Sequence, residues 1–146
     1  MKTILFLCTG NYYRSRYAEE LFNHRAPHRG LSWTAHSRGL ALERGVSNIG
    51  PISRLALSAL AERSLAARGG QRPPRQCAAA DLDAATHIVA LSELEHRPLM
   101  RERFPHWESR IEYWEVADVG ITPPRIALDA IEDRIDVLMN RLRTLG

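Results

Sequence analysis

The stretch Thr3-Ile4-Leu5-Phe6-Leu7-Cys8-Thr9-Gly10-Asn11-Tyr12-Tyr13-Arg14-Ser15 changes character twice within thirteen residues. Thr3 to Leu7 is a short, continuous apolar run, the form of a strand buried on both faces. From Arg14 to about Arg25 the pattern turns helical, with Tyr17, Ala18, Leu21 and Phe22 on one face. Cys8 to Tyr13 is therefore a tight loop that leaves a buried strand and opens a helix.

The same alternation continues outward. Ser32 to Ser37 reads as a second strand, and Gly39, Gly45 and Gly50 punctuate the loop after it. Pro51 to about Ala67 reads as a helix, with Leu57, Leu60, Ala61 and Leu65 at helical spacing and Pro51 suited to a first turn. Gly69-Gly70 ends it, and Arg68 to Arg75 reads as a solvated Pro/Gly loop. Ala78 to Ala85 forms a short helix, Thr86 to Ser92 a buried strand, Glu93 to Arg103 a helix and Arg110 to Val116 a last strand. Thr122-Pro123-Pro124 opens the final helix, with Thr122 as candidate cap. Leu128, Ile131, Ile135, Leu138 and Leu142 line one face of it to the chain end. The prediction is an α/β fold: residues 1–146 as one domain, with a four-stranded parallel sheet and helices on both faces.

In such a sheet ligands bind beyond the carboxyl ends of the strands. Cys8 to Arg14, Ser37, Ser92 and Asp118 each follow a predicted strand and converge there. The first loop has the chemistry for an anion. Its backbone N–H groups and the helix N-terminus point at one spot. Gly10 allows a tight turn, and Asn11 tolerates left-handed geometry while tying the loop together. Arg14, six positions after Cys8, is placed to grip two phosphoryl oxygens as a fork. The same surroundings favour a thiolate on Cys8, and Ser15 is placed to donate to its sulfur. The loop thus both prepares a nucleophile and holds an electrophile in line with it.

Composition narrows the field. Hydrophobic residues at 45% and charged residues at 25% belong to an ordinary globular chain. Net charge is only +3, and the basic residues, all arginine except Lys2, are spread along the chain, which argues against nucleic acid as a partner. No apolar run reaches the length of a membrane span, and residues 4–7 are too few for a signal peptide, so the chain reads as cytoplasmic and not membrane-bound. Two cysteines cannot build a disulfide framework, and the histidines show no ligand spacing, so neither metal nor other cofactor is expected.

The loop Cys8-Thr9-Gly10-Asn11-Tyr12-Tyr13-Arg14-Ser15 resembles that of the low-molecular-weight protein tyrosine phosphatases and the related thioredoxin-coupled arsenate reductases. The resemblance continues through Tyr17-Ala18-Glu19, His36-Ser37-Arg38-Gly39, Ile52-Ser53, the Leu55–Leu65 helix and Ile88–Leu91. It implies a phosphomonoester hydrolase with Cys8 as nucleophile. Phosphate would be bound by Arg14 and by the loop from Thr9 through Gly10, Asn11, Tyr12 and Tyr13 to Ser15. Asn11, Ser15 and Ser37 would brace that loop. It also implies a general acid at Asp118, which by position alone reads equally well as a turn residue. The substrate would be a phosphorylated protein or a small aryl phosphate, with inorganic phosphate or sulfate as loop ligands.

The chain departs from that family in several places. Val119 follows Asp118 where the family has proline, and Tyr13 replaces a second loop cysteine. No histidine precedes Arg75-Gln76, and cleft aromatics are missing around Glu43 and after Asp118. Tyr12 and Tyr13 either supply a ring or simply pack the loop. Cys77 is either a distant resolving thiol or a buried residue. Arsenate reduction and a turnover-poor phosphate or phosphoprotein sensor are the alternatives.

Overall fold

The computed structural model describes residues 2–144. Four strands, β1 (Lys2–Cys8), β2 (Trp33–Gly39), β3 (His87–Ala90) and β4 (Glu112–Tyr113), form one sheet in the order β2-β1-β3-β4, with every strand pair parallel. Five helices accompany them: α1 (Arg14–Arg25), α2 (Arg54–Glu62), α3 (Ala79–Ala84), α4 (Glu93–Arg103) and α5 (Pro124–Thr144). This is the predicted α/β architecture with helices on both faces. Among the described residues no helix is long and apolar enough to cross a membrane.

The apolar run of β1 is buried on both faces because successive side chains point to opposite sides of the sheet. Ile4 and Phe6 join the larger core with α1, α2 and α5. Leu5 and Leu7 join a smaller one with Leu82 of α3 and with Leu99 and Met100 of α4. On α5 the stripe Leu128, Ile131, Ile135, Leu138 and Leu142 is buried as read, joined by Ala127 and Met139. The predicted end of that helix at residues 145 and 146 lies outside the described residues, as does Met1.

Three predicted elements change extent. The helix expected from Pro51 to Ala67 runs only from Arg54 to Glu62. Ser53 caps its start by accepting from the Leu55 N–H at 3.1 Å, and Pro51 stands before the cap. Ser64 adopts φ +60°, and the Leu65 N–H turns back to the Leu60 carbonyl at 2.8 Å. That left-handed reversal stops the helix, and Leu65 folds back onto the core instead of continuing its stripe.

The strand expected over residues 110–116 keeps the parallel ladder with β3 only at Glu112–Tyr113. The Trp114 ring then packs into the core beside Phe6, with centroids 5.8 Å apart. Its backbone N–H still reaches the Ala90 carbonyl at 2.9 Å, the Val116 N–H reaches that of Leu91 at 2.8 Å, and Glu115 forms an isolated antiparallel bridge with Ser92. The last helix starts at Pro124, which puts Pro123 and not Thr122 at the cap position. Short 3₁₀ turns at 27–29, 42–45 and 105–107 were not predicted.

The strand order positions the site. α1 links β1 to β2 across one face, and α4 links β3 to β4 across the other. Adjacent β1 and β3 therefore send their chains to opposite sides and leave a crevice at their carboxyl ends. The loop after β1 and the N-terminus of α4 face each other there.

Candidate active site

A cavity of about 230 Å³ opens at that crevice. Cys8, Thr9, Gly10, Tyr12, Tyr13, Arg14 and Asp118 line it, together with Arg44, Asn48, Leu55 and Val119 from the facing loops. Asn11, Ser15 and Ser37 are fully buried behind it. Every sequence-predicted site residue is thus at this place, in two layers.

The rear layer is a relay whose direction can be worked out. Ser37 donates its hydroxyl proton to Glu19 Oε1. Its oxygen accepts from Asn11 Nδ2 at 2.9 Å. The same Asn11 nitrogen donates to Ser15 Oγ at 2.9 Å. Ser15 therefore has its own O–H free for Cys8 Sγ, 2.9 Å away. A Ser15 hydroxyl donated to the sulfur is the arrangement that would suit a thiolate.

Asn11 adopts φ +50°, the left-handed geometry expected of it, whereas Gly10 does not. A short polar side chain with local hydrogen bonds tolerates that conformation. The tight glycine is instead Gly39, at the end of β2. A Cβ there would meet Thr9 O at 2.8 Å and Asn11 N at 3.0 Å, so only glycine lets the loop lie this close to the sheet.

The carbonyl side of the Asn11 amide reveals a residue that the sequence reading missed. Arg72, placed in a supposedly solvated loop, donates from Nη1 to Asn11 Oδ1 at 3.2 Å and from Nη2 to Ser37 Oγ at 3.0 Å. Its charge is met by Glu19 at 3.1 Å. Arg72 thus supports the Asn11 amide from its carbonyl side. The loop itself is held by Arg16, only 1% exposed, which donates to the carbonyls of Asn11, Pro51, Gly69 and Arg72. Burial, with Arg72 nearby, pulls the Arg16 guanidinium down to about 10. Glu20 binds the Arg68 and Gly69 N–H groups from the other side.

Arg14 forms one wall. It is 2% exposed, and its Nη1 donates to Val116 O at 2.9 Å and its Nη2 to Glu95 Oε2 at 2.8 Å. A guanidinium has five N–H groups, so these bonds orient Arg14 and leave others for a ligand. Burial opposes its charge, but Glu95, Cys8 and Asp118 outweigh that and hold it on.

Glu95 also accepts from the Thr9 hydroxyl. The Thr9 oxygen lies 3.1 Å from His96 Nε2, and His96 Nδ1 accepts the Ser92 N–H at 3.0 Å. That second bond puts the imidazole proton on Nε2, aimed at Thr9. Burial lowers His96 and keeps it neutral, although Glu95 pulls the other way. Burial would raise the Glu95 carboxyl, yet His96, Arg14 and Thr9 together hold it well below the usual carboxylate range. Ser92 begins α4 as its cap, accepting from the Glu95 N–H at 3.2 Å. An acidic residue three positions after such a cap commonly turns back to the cap N–H. Here His96 occupies that N–H, and Glu95 reaches Arg14 instead.

Asp118 sits at the rim, half exposed, with Oδ2 3.9 Å from Arg14 Nη2. Its Oδ1 accepts the Val119 N–H at 2.8 Å, a bond proline at 119 would not allow. The two tyrosines divide the roles left open for them. Tyr12 is half-buried at the mouth with its hydroxyl on the Ile49 carbonyl. The Tyr13 ring packs into the larger core, its hydroxyl has no partner among the described residues, and burial with Asp118 nearby pushes it up to about 12. Cys77 is buried in the smaller core, and that burial pushes its thiol up to about 12.

The fold recurs in solved proteins. The YwlE arginine phosphatase from Geobacillus stearothermophilus is 28% identical, matches 99% of this chain and 94% of its own, and superposes with a TM-score of 0.77. SP-PTP, a low molecular weight protein tyrosine phosphatase from Streptococcus pyogenes, shares the fold at 20% identity and a TM-score of 0.80, over 97% and 93% of the two chains. Vibrio vulnificus Wzb, solved with benzylphosphonate, does so at 17% identity and 0.79, over 96% and 98%. Among functionally curated proteins no sequence matches the chain significantly. The family model for low molecular weight phosphotyrosine protein phosphatase matches residues 3–144, so the chain belongs to that family and is a phosphatase.

Proposed function

We propose that the protein hydrolyses phosphomonoesters through a cysteinyl-phosphate intermediate on Cys8. The observation that carries this reading is the relay that ends with the Ser15 hydroxyl 2.9 Å from Cys8 Sγ, in a cavity shared with Arg14 and Asp118. The Cys8 thiolate attacks phosphorus, the bond to the ester oxygen breaks, and Asp118 gives that oxygen a proton. Water then attacks the phosphocysteine, Asp118 takes the water proton, the P–S bond breaks, and phosphate leaves with the thiolate restored. Arg14 and the backbone of the loop from Thr9 to Ser15 hold the phosphoryl oxygens throughout. Asn11, Ser15 and Ser37 brace the loop, with Arg72 behind them.

Tyr12 at the cavity mouth supports an aryl phosphate such as phosphotyrosine as substrate. The likeness to an arginine phosphatase supports a second reading, phosphoarginine, whose guanidinium would face Asp118. An arsenate-reducing relay is disfavoured, because its one available thiol, Cys77, is buried and held protonated.

The test uses an aryl phosphate and free phosphoarginine in parallel. Cys8→Ser is expected to abolish turnover while still binding phosphate. Asp118→Asn is expected to lower kcat by about 10²–10⁴-fold, less for good leaving groups. Phosphate binding without turnover in the wild type would identify a sensor and overturn the enzymatic reading.

A further inference from the structure

Carboxylates neutralise many of the arginines that lie outside the cavity. Arg25, Arg29, Arg38, Arg63, Arg97, Arg101, Arg103 and Arg141 each sit within 4.0 Å of a carboxylate. Eight exposed arginines make no ion pair among the described residues: Arg68, Arg75, Arg110, Arg134 and Arg143, which line neither the cavity nor the hollow beside it, and Arg44, Arg54 and Arg125. The last three belong to segments that border the site. Arg44 lines the cavity, Arg54 adjoins its lining residues Ser53 and Leu55, and Arg125 lines a second hollow of about 370 Å³. Leu55 borders both hollows, so together they make one groove running from Cys8 out between α2 and the start of α5.

The rim of this groove is apolar. Val46, Ile49 and Ile121 are each at least 80% exposed, and Leu55, Val119 and Ile126 are also open to solvent. Leu55 and Val119 line the cavity, and the other four lie within two residues of lining residues, on two loops and the start of α5. A small phosphate ester filling the inner cavity would leave this collar uncovered. The carboxylates nearby do not offset the three arginines. Glu43 is taken by Arg103, Asp118 lies beside Arg14, and Asp129 is paired with Arg63. Glu62 stands free only at the outer end of the groove.

Resting on the phosphohydrolase reading above, we propose that the substrate is a phosphorylated protein segment carrying acidic residues next to the phosphorylated one. The phosphate enters the cavity, apolar atoms of the segment cover the Val46–Ile49 and Val119–Ile121 collar, and flanking Asp or Glu side chains meet Arg44, Arg54 and Arg125. Groups like these steer encounter and set specificity more than they add raw affinity.

The experiment compares kcat/KM for three phosphotyrosine peptides of equal length, flanked by Asp/Glu, by Ser or by Lys, with a simple aryl phosphate alongside. The acidic peptide is expected to exceed the lysine peptide by about tenfold at low salt, and the ratio should shrink as salt is raised to about 0.5 M. Arg54→Glu with Arg125→Glu should invert the order of the two peptides. Equal rates for all three peptides, or a preference that salt leaves untouched, would overturn this proposal while leaving the aryl-phosphate reading intact. Failure to turn over any of the four compounds would bring down both. The salt series needs only the wild type, so misfolding of the variant does not remove the test.

Discussion

At the residue scale, the arrangement turns on who donates to whom. Arg14 is almost wholly buried, and its charge is matched by a single carboxylate at hydrogen-bond distance, Glu95. Breaking a buried pair from one side leaves the other charge stranded, at a cost of roughly 3–5 kcal/mol. Glu95→Ala is therefore expected to lower stability by about 3 kcal/mol in urea unfolding. Inorganic phosphate should restore more stability to that variant than to the wild type, because the anion gives Arg14 a new partner. An equal phosphate effect in both proteins would show that Arg14 does not face the anion. Cys77 supplies the contrasting case. With its thiol raised to about 12, native alkylation near neutral pH should mark Cys8 and spare Cys77, and Cys77→Ala should keep full turnover. Intact mass and kinetics read the two results.

At the element scale, the loop after β1 is short, yet the 68–72 loop, the end of β2 and α1, the helix that follows the loop, all hold it. The 68–72 loop brings Arg72 to Asn11 and Ser37, and α1 brings Glu19 and Arg16 beneath it. Charged hydrogen bonds of this type contribute about 1.5–3 kcal/mol each. Arg72→Ala should reduce kcat/KM for an aryl phosphate by about tenfold through a loosened Asn11, at an assumed loss near 1.4 kcal/mol. Arg72→Lys should fail to recover it, since a point charge cannot serve Asn11, Ser37 and Glu19 at once. Full activity in both variants would assign the support of Asn11 to the Arg75 N–H alone, which also reaches Oδ1 at 3.0 Å.

At the scale of the whole molecule, acid should loosen the far edge of the sheet. Burial would raise Glu112, but hydrogen bonds from His87, Arg141 and Trp114 overrule it and bring the carboxyl down to about 2. A carboxyl depressed in the folded state adds stability that is fully present above its unfolded value. That stability is lost as protons bind on the way down. For Glu112 the loss runs from roughly pH 4.5 toward pH 2. Thermal melts should show Tm falling across that window, with a shallower slope in Glu112→Gln. Glu95, held low by Arg14, His96 and Thr9, adds to the fall in the same direction.

The sequence by itself determined what depends on near neighbours along the chain. The apolar run before Cys8, the six-residue step to Arg14, the stripe on α5 and the strand-helix alternation all express local periodicity. Period and spacing survive into the fold unchanged because burial on a sheet or helix face requires them. Tertiary structure decided the rest. Glu95 meets Arg14 across 81 residues, and Arg72 meets Asn11 across 61. Neither contact leaves a mark in composition or spacing. The first exists because the order β2-β1-β3-β4 sets the end of β3 beside the end of β1, the second because the segment after Arg72 bridges Gly39 at the end of β2, and in both, buried donors and acceptors had to find partners. The early stop of α2 at Ser64 and the two-residue length of β4 have the same origin. In each, core packing of Leu65 or Trp114 outweighed a local preference to continue.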